Sequence, residues 1–563
     1  MTLPISKLAA LRDKIRASQE SKILGSNPSI VLKDEPTVTT QEPAPDKGHI
    51  YDKYGNLITL NSKQLEFVSL ATEGRSCVLI GAAGTGKTTS QKAVVSSLIQ
   101  SGRAGILSPE GHKYLPQSSP GIVIVAYTRR AVANIRRNMP TDLQNNCITI
   151  HKLLEYQPVY TEVIDPITGD TKTKMSFEPA RNSSNPLPSS IHTIIFEESS
   201  MIGTDLYKEV QDATPHNPQE IFLGDIQQLP PVFGPAILGF KLLQLPVVEL
   251  TEVYRQALES PIISLAHRIL SGNPIPPTEL KDWNSTGLTI HPWKKKISPE
   301  TALQTTGMFF IQAEEKALYD PEEDIILIPF NKSFGTDELN KILANHLSKK
   351  RGATTYEIIE GFNKYYLSPG DKILYDKEDA TILEINPNPS YTGATPLPAS
   401  KSLDYWGYDP TPPGVDAVSD DDMDFLLSQV SSSESGDRVR QASHVLTIQM
   451  LDSGVTVKVD KAADINTLNL GYVLTVHRSQ GSEFRKVFFV THQSHNTMMS
   501  RELIYTAVTR AREELYVIGE PEMFVGGILS QRIKGNTLQE KALQFQGKLE
   551  EGKDYSFLTR GSK

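Results

Sequence analysis

Cysteine is almost missing from this chain. Two residues in 563, Cys77 and Cys147, rule out a disulfide framework and, by themselves, a zinc site. Both lie in apolar runs, where they read as small core side chains. No apolar stretch approaches the roughly 20 residues that a membrane helix needs. The opening segment, MTLPISKLAALRDKIRAS, has no apolar centre of the kind a signal peptide carries. These absences lead to the expectation of a cytoplasmic, intracellular protein with no membrane partner.

A surplus of basic charge is also missing. The formal net charge is −9, an unexpected sign for a binder of phosphate backbones. One segment accounts for most of it. Asp404 to Glu434 holds eight carboxylates and no Lys or Arg, so the rest of the chain is near −1. Phosphate contacts are short-range and screened, so a local basic surface is enough for a nucleic-acid channel. Net charge therefore neither supports nor excludes such a partner.

At 38 % hydrophobic and 22 % charged residues the composition is that of a globular protein. The length suits three or four domains. Ile5, Leu8, Leu11 and Ile15 recur at helical spacing within residues 1–24. Residues 25–48 are rich in Pro, Ser, Thr and acids and read as a linker, so 1–48 is expected to be a tethered helix and disordered linker. Beyond it, apolar runs alternate with helical stretches. Ser76–Ile80, Ile122–Ala126, Thr193–Phe196 and Glu220–Leu223 read as strands in the first half. Ile325–Pro329, Val487–Val490 and Leu515–Ile518 repeat the pattern in the second half. Such alternation predicts two α/β lobes with parallel sheets.

Two pieces interrupt the alternation. Residues 159–179 read as two strands joined by a turn at 165–170, a hairpin. The strings DKILYDK and LTIQMLDSGVTVKV, with a turn at Asp452-Ser453-Gly454, suggest a small β-domain. The acidic segment falls inside it and reads as a disordered loop.

The chemistry is concentrated in three strings. Gly81–Thr88, GAAGTGKT, follows an apolar strand and opens a helix, which is the Walker A pattern. Its glycines let backbone N–H groups close on phosphate oxygens, and the helix dipole adds to them. Lys87 would neutralise the β- and γ-phosphates and Thr88 would hold Mg²⁺. Gly81, Gly84, Thr85, Gly86 and Thr89 complete the ATP cradle. In IIFEESSM an apolar strand ends in Glu197 and Glu198, a Walker B arrangement. Glu197 would hold the metal and Glu198 would polarise the attacking water. In LGDIQQLPPV, Gln228 is a neutral amide able to bond both a water and a γ-phosphate, followed by a loop stiffened by two prolines. Ala126–Ala131, AYTRRA, follows a strand and opens a helix, so Thr128 and the helix N-terminus could bind a nucleic-acid phosphate.

These strings, with Tyr254-Arg255-Gln256, TVHRSQGSEF from Thr475 and LIYTAVTRAR from Leu503, occur in one order. In that order the chain resembles superfamily 1 (group B) DNA helicases of the RecD/Dda type, over roughly residues 50–520. The resemblance implies two RecA-like P-loop lobes with ATP in the cleft, a β-hairpin insertion in the first lobe and an SH3-like β insertion in the second. The implied boundaries are 49–255 for the first lobe with its hairpin at about 157–180, 256–350 for the start of the second, and 351–465 for the insertion with its acidic loop at about 385–440. Residues 466–525 complete the second lobe and 526–563 form a C-terminal tail.

The resemblance also implies roles. Gln64, in LNSKQL, would read adenine through its amide. Tyr254 would stack near the base. Arg255 and Arg510 would act as arginine fingers on the γ-phosphate, while Arg512 is structural. Gly481 and Glu483 would contact nucleotide from the second lobe. Thr149, His151, Thr475 and His477 would line the single strand. The hairpin would be the pin that splits a duplex, with Ile167 at its tip as the wedge, since an apolar side chain can replace lost base stacking. The expected activity is ATP-dependent 5′→3′ translocation and unwinding, with Lys87, Glu198, Gln228, Arg255 and Arg510 as the catalytic set. ATP and Mg²⁺ are the expected cofactors, single-stranded and fork DNA the expected partners. One chain holds both halves of the site, so a monomer suffices. Residues 1–24 or the acidic segment are candidate docking sites for a protein.

One position departs from the family, which has Asp-Glu where this chain has Glu197-Glu198. The extra methylene moves the first carboxylate by about 1.3–1.5 Å, a bond length, and magnesium tolerates poor octahedral geometry badly. Two other readings stay open: an RNA-directed or protein-stripping translocase without strong unwinding, and an ATP-gated nucleic-acid-binding protein with weakened turnover.

Overall fold

The computed structural model describes residues 50–546, apart from 52–56, 103–120, 140, 165–170, 231–233, 254–258, 274, 276–286, 294–295, 333, 361–362, 376–377, 390, 392–440, 452–453, 462–463, 466–467 and 536. The N-terminal helix and linker, the acidic loop, Tyr254, Arg255, Gln256 and Ile167 therefore lie outside the described residues.

Every apolar run expected to be a strand is one. Cys77–Gly81, Gly121–Ala126, Ile191–Phe196 and Gln219–Gly224 join Cys147–Thr149 and Val247–Leu250 in a six-stranded sheet. All pairings are parallel, and the order across the sheet is 247–250, 77–81, 219–224, 191–196, 121–126, 147–149. Successive residues alternate between two apolar clusters. Val78, Ile80, Val123, Val125, Ile194 and Phe196 face one side, and Cys77, Leu79, Ile122, Ile124, Ile195 and Ile221 the other. A sheet covered on both faces needs unbroken apolar runs, which is why these strands were legible.

The second half repeats the plan. Leu288–Pro292, Ala511–Gly519, Phe484–Thr491, Ile325–Ile328 and Val473–Thr475 form, in that order, a five-stranded parallel sheet. Ile325, Leu327, Val487 and Phe489 point into one cluster, Ile326, Ile328, Phe488 and Val490 into the other. These are two parallel α/β lobes of the RecA-like kind.

The interrupting pieces are both β. Tyr156–Ile164 pairs antiparallel with Thr171–Pro179 over nine register positions. Thr456–Lys461, Gln441–Met450, Glu378–Pro387, Lys372–Tyr375 and Asn469–Leu470 form an antiparallel sheet in that order. It closes over its own core, which includes Ile373, Ile382, Leu446 and Ile448.

The segment read as a C-terminal tail has structure of its own. Leu538–Gln546 is a helix, and Ile533, Ala542 and Phe545 join the core of the first lobe. It packs on the helix Ile237–Gln244: Ala236 N–H donates to the Phe545 carbonyl at 2.9 Å, and Gln546 Nε2 to the Gly239 carbonyl at 3.1 Å.

Candidate nucleotide site and the strand edges beside it

The strand Cys77–Gly81 turns into the helix Lys87–Gln100 through residues 82–86. Gly84 and Gly86 have φ of 78° and 88°, the left-handed region that glycine enters without steric cost. Gly86 is the helix N-cap, and among the described residues no side chain caps that terminus. Its N–H groups are thus available to an anion, with the helix dipole behind them. Thr85 Oγ1 donates to the Ala82 carbonyl at 2.8 Å and braces the turn. Lys87 Nζ donates to the carbonyls of Gly81 at 2.6 Å and Ala82 at 3.2 Å, which folds the ammonium back over the loop. Thr88 is exposed beside it and Thr89 partly buried.

Sheet order brings the other two strings alongside. The strand of residues 219–224 is the immediate neighbour of 77–81, and 191–196 lies next to it. Their carboxyl ends, carrying Asp225 to Gln228 and Glu197–Glu198, therefore flank the phosphate loop. Glu197 N–H still pairs with the Val125 carbonyl at 2.8 Å. Glu198 has turned into the left-handed region, with φ 49° and ψ 42°. A non-glycine residue there costs of order 1 kcal/mol, and such strain collects at functional sites. Ser199 Oγ donates to the Leu223 carbonyl at 2.8 Å, and a Cβ on Gly224 would lie 2.8 Å from that same oxygen. Only glycine at 224 lets the two loops approach this closely.

Glu197 has the most perturbed carboxyl of the group. Burial, then the neighbouring Glu198, push it up to about 8, against the opposing pull of Lys87. A hard cation beside it would relieve both effects. Among the described residues no cluster of three or more His, Cys, Asp or Glu could hold a metal. Magnesium takes one or two protein oxygens and completes its shell with phosphates and water. Gln228 is buried, and its side-chain oxygen has no hydrogen-bond partner among the described residues. A buried acceptor left open in this way is suited to orient a water.

The second lobe reaches this cluster through residues to which the sequence reading gave no role. Ala83 N–H donates to the Tyr505 hydroxyl at 2.8 Å, and that hydroxyl donates to Asp225 Oδ2 at 2.7 Å. His267 Nε2 donates to the Ala83 carbonyl at 2.9 Å. Leu229 N–H donates to Thr506 Oγ1 at 3.2 Å, and Gln480 Nε2 to the Leu229 carbonyl at 3.1 Å. Tyr505, Thr506 and Gln480 belong to the quoted strings, but their partners are hundreds of positions away. A cavity of about 180 Å³ lies beside these contacts, lined by Gly81, Ala82, Thr85, Asp225, Glu249 and His267 among others.

The other residues expected at the nucleotide have the following surroundings in this structure. Arg510 is buried, with Nε on the Thr506 carbonyl and Nη1 on the Ser482 carbonyl, both at 3.1 Å, so its guanidinium is held within its own lobe. Gly481 faces the first lobe: a Cβ there would lie 2.7 Å from Ala131 Cβ and 3.0 Å from Thr128 Oγ1. Glu483 and Arg512 are exposed. Gln64 is fully buried, its oxygen accepting from Asn61 N–H at 3.0 Å and its Nε2 donating to the Gly86 carbonyl at 3.3 Å. It forms the capping box of the helix Ser62–Thr72 and braces the phosphate loop.

The residues expected on a nucleic-acid strand cluster in part. Thr149 ends, and Thr128 lies just past the end of, two adjacent parallel strands, in which Ala126 is in register with Thr149. Each caps the helix that comes next, Thr128 accepting from Ala131 N–H and Thr149 from Lys152 N–H, both at 3.1 Å. The His151 ring lies 5.7 Å from Tyr127 and 4.9 Å from Tyr156. Thr475 Oγ1 accepts from Arg478 N–H at 3.2 Å, capping the turn that carries His477. The contact of Gly481 with Thr128 brings this turn beside the first group.

Comparison with known proteins agrees with this layout. Residues 64–234 match the AAA domain family, and residues 470–518 match the UvrD-like helicase C-terminal domain family. An ATP-dependent RecD2 DNA helicase of Deinococcus radiodurans is 27 % identical over 484 residues, covering 85 % of this chain and 52 % of the relative. The chain thus spans about half the length of that relative. The RecD subunit of the RecBCD enzyme from Mycolicibacterium smegmatis is 22 % identical over 488 residues, covering 82 % of this chain and 72 % of the relative. Among solved structures, Bacteroides Pif1 bound to single-stranded DNA is similar at 16 % identity, covering 82 % of this chain and 92 % of that one, with a TM-score of 0.42. Among the described residues no helix is long and apolar enough to cross a membrane.

Proposed function

We propose that the chain is a superfamily 1 helicase of the RecD type, an ATP-driven motor that moves 5′→3′ along single-stranded DNA and separates duplex at a fork; the matches to the AAA and UvrD-like helicase C-terminal domain families support that reading. The observation that carries this reading is the pair of hydrogen bonds at the Tyr505 hydroxyl, which accepts from Ala83 N–H of the phosphate loop and donates to Asp225 of the Gln228 loop, tying both to the second lobe. A motor needs its nucleotide loops in contact with a second body that can move.

In this proposal Lys87 leaves the Gly81 and Ala82 carbonyls for the β- and γ-phosphates, while the N–H groups at the helix terminus close on phosphate oxygens. Thr88 and Glu197 would hold Mg²⁺, which when bound neutralises charge on the transferred phosphoryl group. Glu198 takes the proton of the attacking water, and the open Gln228 oxygen orients that water. Arg255 and Arg510 approach the γ-phosphate as the lobes close, for which Arg510 must leave Ser482. Gln64, Tyr254, Gly481 and Glu483 are proposed contacts of the nucleotide. Thr128, Thr149, His151, Thr475 and His477 are the proposed floor of the strand, the hairpin of residues 156–179 with Ile167 the pin, and the antiparallel sheet an SH3-like insertion.

The test is unwinding of tailed duplexes with ATP. A duplex with a 5′ single-stranded tail should be opened and one with a 3′ tail left intact. Equal activity on both would remove the polarity, and stimulation of ATP hydrolysis by RNA but not DNA would replace the substrate. A second reading, an ATP-gated DNA-binding protein with slow turnover, draws on Glu197, whose carboxyl is pushed up to about 8 by burial and by Glu198. Under that reading Glu197→Asp raises the hydrolysis rate.

A further inference from the structure

One residue of the phosphate loop, Ala83, is held at both of its peptide groups from the second lobe. Its N–H donates to the Tyr505 hydroxyl at 2.8 Å and its carbonyl accepts from His267 Nε2 at 2.9 Å. Tyr505 lies on the helix Arg501–Val508 and His267 on Pro261–Leu270, and both helices pack into one apolar cluster. The two grips therefore move as a unit with that lobe.

The Tyr505 hydroxyl both accepts and donates. Having accepted from Ala83, it gives its proton to Asp225 Oδ2 at 2.7 Å. Tyr505 has no exposed surface, so water cannot substitute for either bond. Burial and the Asp225 carboxylate hold the phenol well above its usual range, so it stays a donor. Asp225 in turn shapes the loop beyond it: its Oδ1 accepts from Gln227 N–H at 2.9 Å and its carbonyl from Gln228 N–H at 3.2 Å. The hydroxyl thus stands between the loop that cradles phosphate and the loop that presents the open Gln228 oxygen. Packing alone would need only the phenyl ring.

We propose that Tyr505 is a positioning residue of the nucleotide site, fixing Ala83 against Asp225 so that the second lobe sets the spacing between the phosphate loop and Gln228, with His267 as the opposing grip. The proposal rests on the motor reading above and deepens it. Movement of the second lobe on nucleic acid is transmitted to the hydrolytic site through these bonds.

The experiment compares Tyr505→Phe, His267→Ala and His267→Gln with the full wild-type chain. Hydrolysis of ATP is followed with and without single-stranded DNA, and amide hydrogen exchange is followed across residues 81–87. Tyr505→Phe removes one hydroxyl and should lower kcat with DNA about tenfold, the scale of one lost buried hydrogen bond, while KM for ATP changes less than about twofold. His267→Ala should act in the same direction. His267→Gln keeps an N–H donor and should restore most of the rate. Faster exchange at Ala83 is expected in Tyr505→Phe. An unchanged kcat in both Tyr505→Phe and His267→Ala, or a change confined to KM, would overturn the proposal. If Tyr505→Phe does not fold, the two His267 variants decide by the same criteria. If the wild-type chain hydrolyses no ATP, the motor reading fails, and exchange at Ala83 then judges the clamp alone: unaltered protection in the variants overturns it.

Discussion

Arg130 of the first lobe and Asp379 of the antiparallel sheet form a two-point ion bridge. Arg130 Nε donates to Asp379 Oδ2 at 3.0 Å, its Nη2 donates to Oδ1, and its Nη1 reaches the Arg478 carbonyl at 3.3 Å. The bond joins the helix opened by Thr128 to a strand some 250 positions later (a separation of 249). Arg130 is 8 % exposed, and its fixed fork matches a carboxylate. Asp379→Ala leaves that guanidinium buried without its partner. A loss of about 3 kcal/mol is expected, at the lower end for a broken buried pair. Urea denaturation measures it. In a double-mutant cycle with Arg130→Met, the second substitution should cost far less than the first, because the buried charge is gone.

Acid should reach this protein in two steps. His495 is buried, with Nε2 on the Phe334 carbonyl at 2.8 Å and, among the described residues, no partner for Nδ1. Burial lowers it from 6.5 to about 4. The unfolded chain therefore takes up this proton first, so the His495 contribution to stability is full above about pH 6.5 and is lost as pH drops toward 4, by about 3 kcal/mol. Asp379 acts lower. Burial alone would raise its pKa, but Arg130 and then Lys372 outweigh that and hold it below the usual range. Its contribution is present above the unfolded value near 3.9 and is lost as pH falls through the depressed one. Thermal melts from pH 7 to 3 check both steps. His495→Gln keeps a donor for Phe334 and should flatten the upper step only.

What the sequence made legible was local. The phosphate loop, the two glutamates and the Gln228 string each follow a buried strand within a few residues, and the strands are unbroken apolar runs. Short strands such as Val247–Leu250 and Val473–Thr475 carry too few residues to show a pattern. The contacts that join the lobes were illegible for another reason. Ala83 and Tyr505 are 422 positions apart, and neither carries a charge that would nominate it. Gln64 was assigned by resemblance to adenine, whereas its burial and its bonds to Asn61 and Gly86 come from the cap it forms with its own helix. The partners of Arg510 were equally illegible in its string: Thr506 and Ser482 hold the guanidinium in this structure.

The three acidic and basic groups at the nucleotide site should separate binding from turnover. Lys87→Ala removes the cation that now bridges Gly81 and Ala82 and should abolish measurable ATP hydrolysis, with weaker binding of a fluorescent nucleotide. Glu198→Gln keeps the size and the left-handed turn at 198 but takes away the proton acceptor. It should bind nucleotide as the wild type does and lose at least about 100-fold in rate, the scale of a general base. Normal hydrolysis by that variant would transfer the role to another group. Glu197→Asp restores the shorter carboxylate, and a rate above wild type would mark the natural Glu197 as a brake on turnover.

The contact of the C-terminal helix with the first lobe should be severed by one methyl group or more at Gly239. A Cβ there would lie 2.7 Å from the Ala542 carbonyl oxygen and 2.8 Å from Phe545 Cβ. Backbone and Cβ atoms cannot swing aside as a side-chain tip can, so the helix Leu538–Gln546 must shift as a body. Gly239→Ala should cost about 1–3 kcal/mol, the range for overpacked sites. Gly239→Leu should displace the helix altogether, breaking the Phe545 carbonyl bond to Ala236 and uncovering Ile237. Arg532 and Ile533 N–H groups are bonded to the Glu502 carboxylate at 2.9–3.1 Å, so the chain stays anchored to the helix of Tyr505 just before the break. Limited proteolysis should therefore cut Gly239→Leu after about residue 535 while the wild type resists. Resistance in both would mean that the first lobe yields instead and that the helix tolerates a bulkier neighbour.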